Sequence, residues 1–133
     1  WDIEMKNKII FTFITIFLIL LLIKFFPFGT KYYNISDTED TKIKAPKLSK
    51  YEEVCCMYSA EFKSVRSAYI LKKELDNIVK NYKILKCNNQ TYFYDEKNDI
   101  TIVGYSIERG FLFNKFHIVF DEGNSCNEKS NWY

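Results

Sequence analysis

The chain has one histidine, His117, and two arginines, Arg66 and Arg109, against 17 lysines. A Ser/His/Asp or Cys/His catalytic group would have to be built on His117, which sits in an alternating, strand-like run with no flanking catalytic motif. Scarce arginine removes the forked donors favoured for phosphate recognition, and a net charge of +2 makes no electrostatic case for nucleic acid. The four glycines form neither a P-loop nor a G-x-G-x-x-G pattern. The four cysteines include no C-x-x-C, and the adjacent pair Cys55 and Cys56 would strain a tetrahedral centre. No catalytic residue, metal site, cofactor, small-molecule ligand or nucleic-acid partner is expected, and the chain is not read as an enzyme.

What the sequence does contain is a long apolar run. Residues 9–23, IIFTFITIFLILLLI, carry no charge, and the apolar character resumes after Lys24 as FFPFG. Residues 9–28 make about 20 positions, enough for a helix to cross roughly 30 Å of hydrocarbon. Ile9, Phe11, Phe13, Ile16, Leu18, Leu20, Leu22 and Phe28 are expected to meet membrane lipid, with Lys24 snorkelling to the interface. A lysine pair before an apolar run also fits a cleaved secretory signal. The stretch KFFPFGTKYYN, however, puts bulky aromatics where a signal peptidase needs small residues. A retained transmembrane anchor over residues 5–28 is the expectation, with residues 1–4 treated as an extension outside the fold.

Residues 29–50 are polar and mixed in charge, contain Pro46 and show no sustained apolar period, so they read as a polar linker. The acidic SDTED within them lacks the loop pattern of an EF-hand. Residues 51–133 are left as one small domain, too short for a second core. In it Phe62, Val65, Tyr69, Leu75, Ile78, Val79 and Tyr82 recur at helical spacings, predicting an amphipathic helix of about 22 residues from Ser59, with Glu74 among its exposed positions. Ser59 suits an N-cap, and SKYE at residues 49–52 offers an alternative start.

Three β-rich runs follow, near residues 91–95, 100–107 and 111–121, joined by short EKND and ERG connections that favour antiparallel neighbours. In the third, Phe116, Ile118 and Phe120 alternate with Lys115, His117 and Val119, which turns His117 outward. The predicted fold class is α+β: an N-terminal transmembrane helix, then one long amphipathic helix packed on a three-stranded antiparallel meander.

That order of elements makes a prediction about the cysteines. A helix of about 22 residues separates its poles by roughly 33 Å, and a three-stranded meander returns the chain end to the helix start. Cys126 is therefore expected to form a disulfide with Cys55 or Cys56, while the partner of Cys87 is left uncertain. A disulfide in so small a domain implies an oxidising compartment. This outweighs the lysine count, in which Lys6 and Lys8 stand against Lys24, Lys31, Lys42 and Lys44.

The outline is similar to that of type IV pilins and pseudopilins: apolar segment, helix, meander, C-terminal cysteine. The apolar segment here has no early glutamate, and Pro27, Gly29 and Pro46 prevent it from running on as one helix, so no family is assigned. The functional expectation is a single-pass membrane protein whose disulfide-stabilised domain lies outside the cytoplasm. Twelve phenylalanines and ten tyrosines exceed what a small core can hold, which implies aromatic surface for a protein or envelope partner. The alternatives are a secreted domain with a cleaved signal peptide, or a small hydrolase-like enzyme using Asp95, Asp99 and Asp121 at one end of the sheet, near Glu96 and Glu122.

Overall fold

The apolar run forms a helix, α1 (Ile3–Phe25), in the computed structural model, which describes residues 2–35, 41–52 and 59–126. Its first turn begins earlier than expected, because the Asp2 carboxylate accepts the Glu4 N–H at 3.4 Å. Its 23 residues rise about 34 Å, and none is buried. The Thr12 and Thr15 hydroxyls donate back to the Lys8 and Phe11 carbonyls at 2.8 and 2.9 Å, so both polar side chains are satisfied within the helix. Among the described residues it is the one helix long and apolar enough to cross a membrane.

The described parts of the stretch expected to be a spacer are instead built into the domain, while its acidic SDTED run lies outside the described residues. They supply β1 (Thr30–Asn34) and β2 (Lys42–Pro46), an antiparallel pair, followed by β3 (Ser49–Glu52). Ile35, Ile43 and Ala45 are buried in the core, and the Tyr51 hydroxyl donates to the Ile35 carbonyl at 2.7 Å. Strands this short alternate over only two or three residues, so their inward Ile and Ala are lost among the surrounding lysines when composition is averaged.

The long helix is also corrected. Residues expected to form its first turns make a strand, β4 (Ser59–Ser64), and the helix proper is the 13-residue α2 (Ala68–Lys80). In β4 Ala60, Phe62 and Ser64 point inward and alternate with half-exposed partners, a period of two that the Phe62–Val65–Tyr69 spacing disguised. The cap is Ser67 rather than Ser59, its hydroxyl accepting the Ile70 N–H at 3.3 Å. Ile70, Leu71, Leu75, Ile78 and Val79 form the buried stripe of α2.

The three predicted strands exist as β6 (Gln90–Asp95), β7 (Ile100–Glu108) and β8 (Asn114–Glu122), each antiparallel to its neighbour, but they are half of a larger sheet. An edge strand, β5 (Lys83–Cys87), pairs with β6 through a two-residue Asn88–Asn89 turn with both φ positive, the geometry of tight hairpins. The six-stranded order is β3-β4-β8-β7-β6-β5. A bulge between Ile102 and Gly104 inserts Val103, so that Ile102 and Tyr105 both reach the inner face.

That inner face is covered by α2 and the β1–β2 pair. Phe116, Ile118 and Phe120 lie on it as expected, beside Ala60, Phe62, Ile100 and Ile102. Phe62 and Phe116 stack at 4.9 Å between centroids, and Tyr33 meets Phe62 edge-on at 5.2 Å. Each buried ring contributes about 1.5–3 kcal/mol of transfer free energy.

Candidate interaction site at the junction of the apolar helix and the domain

Arg66 lies between β4 and α2 and is fully buried. Glu74, expected among the exposed positions, is instead buried on α2 facing it. The guanidinium forks onto this carboxylate, with Nη1 2.7 Å from Oε2 and Nη2 2.9 Å from Oε1. Nη1 also donates to the Lys47 carbonyl at 3.2 Å, and Nη2 donates to the carbonyl of Phe26, just past α1. The Phe28 ring lies 5.4 Å from the guanidinium carbon. Glu74 Oε1 accepts the Gly29 N–H at 3.2 Å. One ion pair therefore ties together the exit of α1, the β2–β3 turn and α2.

Backbone bonds tighten the same seam. The Ser67 N–H donates to the Lys24 carbonyl at 3.0 Å, and Lys24 Nζ donates to the Val65 carbonyl at 3.1 Å. Asn114, the first residue of β8, donates through Nδ2 to the Arg66 carbonyl at 2.8 Å, and its Oδ1 accepts the Gly110 N–H at 3.2 Å. The β7–β8 turn is thus fixed beside the point where α1 leaves the domain. Of the expected anchor residues, Ile9, Phe11, Phe13, Ile16, Leu18, Leu20, Leu22 and Lys24 lie on α1, while Phe28 packs at the seam with its ring 5.0 Å from Phe26. The role of Arg66 was missed in the sequence. Its available signal was arginine standing where this chain otherwise uses lysine, since only arginine stays charged and bidentate when fully buried.

The disulfide is a correction. Cys126 is bonded to Cys87, with Cα atoms 5.8 Å apart, and not to Cys55 or Cys56, which fall outside the described residues. The reason is parity. With β5 inserted between α2 and the meander, four strands follow the helix and β8 ends at the helix C-terminal pole. Gly123, at φ +78°, then turns the tail back over the outer face. Thr101 Oγ1 donates to the Gly123 carbonyl at 2.6 Å and accepts the Ser125 N–H at 3.2 Å. This tail covers the side of the sheet on which the register places Thr101, Tyr92 and Leu85, all buried.

Each carboxylate at the far end of the sheet is engaged by a partner of its own. Asp95 accepts from the Lys97 N–H at 3.1 Å and from Asn98 Nδ2 at 3.0 Å, within its own turn. Asp99 accepts from the Tyr94 hydroxyl, Asp121 from the Ser125 hydroxyl at 3.3 Å, and Glu122 from the Thr41 hydroxyl at 3.4 Å. Glu96 is exposed, 3.9 Å from Lys83 Nζ. The perturbed groups here are phenols. Burial, reinforced by the charge of Asp95, holds Tyr82 well above its usual range, and burial also raises Tyr32. The hydrogen bond to Asp99 pushes Tyr94 up to about 12.

His117 faces outward on β8, its Nε2 3.7 Å from Glu61 and 3.9 Å from Glu108. No cluster of three or more His, Cys, Asp and Glu side chains suited to a metal ion occurs among the described residues. In comparisons with known proteins the chain matches no family model, no curated protein and no solved structure.

Proposed function

We propose that this protein is a single-pass, membrane-anchored, non-catalytic module that holds a small disulfide-closed domain against the outer surface of the membrane, for contact with another protein or the cell envelope. The observation that carries this reading is the Arg66 seam. The domain uses the carbonyls of Lys24 and Phe26 as structural acceptors, so cleavage after an apolar signal would strip Arg66 and Ser67 of partners they use. A helix retained for structural reasons and apolar on every side is best accommodated in lipid.

The Cys87–Cys126 bond supports an oxidising side for the domain. The opposing lysine count loses weight because Lys31, Lys42 and Lys44 belong to a folded strand pair, and folded domains cross largely regardless of charge.

A reporter fused after Tyr133, active only outside the cytoplasm, tests the orientation, and peptide mass mapping of the mature protein tests retention of α1. The expected result is an active reporter, peptides from α1 in the mature chain, and a peptide joining Cys87 to Cys126 after digestion without reduction. A cytoplasmic reporter, or a mature chain lacking α1, overturns the reading.

A further inference from the structure

Outside α1 and its exit, the large apolar side chains left exposed among the described residues are unevenly placed. Ile84, Val103 and Val119 are scattered, whereas Leu48, Val65, Tyr69, Phe111, Leu112 and Phe113 all lie at the pole where α1 emerges. Tyr69 follows the Ser67 cap, whose N–H is bonded to Lys24, and Val65 receives the Lys24 ammonium. Leu48 is joined to the same pole through its carbonyl, which accepts the Ser64 hydroxyl at 3.0 Å.

The centre of the patch is the β7–β8 turn, where Phe111 is 98% exposed and Leu112 66%. This turn is a built feature and not a loose loop. Asn114 fastens its base to Arg66, and a Cβ at Gly110 would run into the Phe113 carbonyl oxygen, so the close return of the chain needs glycine there. Because β8 starts at Asn114 and runs away from the pole, the turn projects past the sheet on the side of α1.

Basic residues collar the apolar tip. The register aligns Lys50, Lys63 and Lys115 across three adjacent strands, one residue in from the strand ends at this pole. Like charges directly opposite one another are unfavourable within a sheet; the row is offset at its Lys115 end, where Glu61 is 3.9 Å away and the register sets Glu108 directly opposite, which leaves Lys50 and Lys63 as its unbalanced part. The Lys63 ammonium sits 4.3 Å over the Phe113 ring. Apolar tip, aromatic shoulder and lysine collar are the layered chemistry of an interfacial membrane contact, with ammonium groups at the level of the lipid phosphates.

We infer that the β7–β8 tip is a second membrane contact: Phe111, Leu112 and Phe113 insert into the interface of the bilayer that α1 crosses, with Lys50, Lys63 and Lys115 at the headgroups, so that the domain is docked on the lipid surface at two points. The inference rests on the anchor reading above, and the occupant is lipid because the patch is continuous with the end of α1. Two contacts fix the domain's tilt and turn its opposite pole toward any partner.

The test uses the full chain in vesicles of phosphatidylcholine and phosphatidylglycerol, with Trp1 and Trp132 changed to phenylalanine to give a dark background. Single tryptophans are then placed by Phe17→Trp in α1, Leu112→Trp at the tip and Ile84→Trp on the exposed edge strand, and quenching by lipid brominated near the headgroup end of its chains is measured for Leu112→Trp and Ile84→Trp, with deeper bromines for Phe17→Trp. The expected result is loss of emission for Phe17→Trp and Leu112→Trp and none for Ile84→Trp. Quenching of Phe17→Trp without Leu112→Trp keeps the anchor and overturns the docking. Failure of Phe17→Trp overturns the anchor itself. A blue-shifted Leu112→Trp emission that bromolipid does not quench means that protein covers the tip, which also overturns the proposal. A Leu112→Trp signal that is quenched equally in pure phosphatidylcholine and in mixed vesicles overturns the role assigned to the lysines.

Discussion

The two poles of the domain are held by different chemistry. At the pole next to α1, one buried ion pair and a set of hydrogen bonds to the backbone join segments from five parts of the chain: the end of α1, the β2–β3 turn, the β4–α2 connection, α2 and β8. At the opposite pole, Asp95 and Asp121 accept bonds from within their own turns, the longer-range contacts are bonds from neutral hydroxyls such as Thr41 to Glu122 and Thr101 to Gly123, and the covalent bridge lies on the outer face rather than in the core. The far pole thus has long-range bonds of its own, but the buried ion pair, and with it the attachment to α1, belongs to the near pole. Breaking the near pole should therefore loosen the domain from its helix, and breaking the far pole should cost stability without changing that attachment.

The largest effect is expected from Arg66→Ala, which strands a buried Glu74 carboxylate and removes the donor to the Phe26 carbonyl. A loss of roughly 3–5 kcal/mol is expected in urea unfolding of the full chain in micelles. Converting the pair together, Arg66→Met with Glu74→Leu, should recover much of it, because no unpaired charge remains. If the single variant unfolds like the wild type, the seam is not what secures this pole.

Cys126→Ser probes the other side of the comparison. The bridge closes a separation of 39 residues, worth about 4 kcal/mol in the chain-entropy model and about 2–4 kcal/mol in typical measurements. The urea midpoint should fall, while protease protection of the segment between α1 and β1 should persist, since the Arg66 seam is intact. Loss of that protection would mean that the two poles are not independent.

Ser67→Ala removes the cap of α2 and should cost about 1 kcal/mol, read as a lower thermal midpoint with unchanged helix content in the folded baseline. A shift as large as that of Arg66→Ala would place the anchoring role on the cap instead.

The smallest effect is a pH dependence at the far pole. Tyr94 rises from 10.0 to about 12 through its bond to Asp99, so its neutral form is favoured in the folded state. Its contribution to stability is complete below pH 10 and is lost as pH climbs through about 12. Asp99→Asn, which suits the positive φ of 54° at this position, should return the Tyr94 titration toward 10 in tyrosinate absorbance while leaving Tyr82 high. An unchanged curve would detach Tyr94 from Asp99.

How far the sequence could be read depends on the reach of each signal. The apolar segment was legible because every residue of a lipid-length helix carries the same message, and the β6, β7 and β8 runs were legible because they are six to nine residues long and separated by plain turns. The strands β1 to β4 were not. Their inward residues Ile43, Ala45, Ala60 and Phe62 are spaced two apart among lysines and serines, and a short alternation competes poorly with a helical spacing that happens to run through Phe62, Val65 and Tyr69. One overlooked strand, β5, then reversed the pole at which the chain ends, and with it the partner of Cys126.

By itself the sequence determined what is local and repetitive: an N-terminal apolar helix, the Leu75, Ile78 and Val79 part of the α2 stripe, the outward side of His117 and three neighbouring antiparallel strands of the larger sheet. Tertiary structure decided what depends on pairing between distant segments, namely the six-strand order, the burial of Glu74 against Arg66, the Cys87–Cys126 bond and the gathering of Leu48, Val65 and the β7–β8 tip around the end of α1. The physical reason is that propensity and periodicity act over a few residues, while an ion pair or a disulfide is chosen by the parity of the strands between its partners, a quantity that a single added strand inverts.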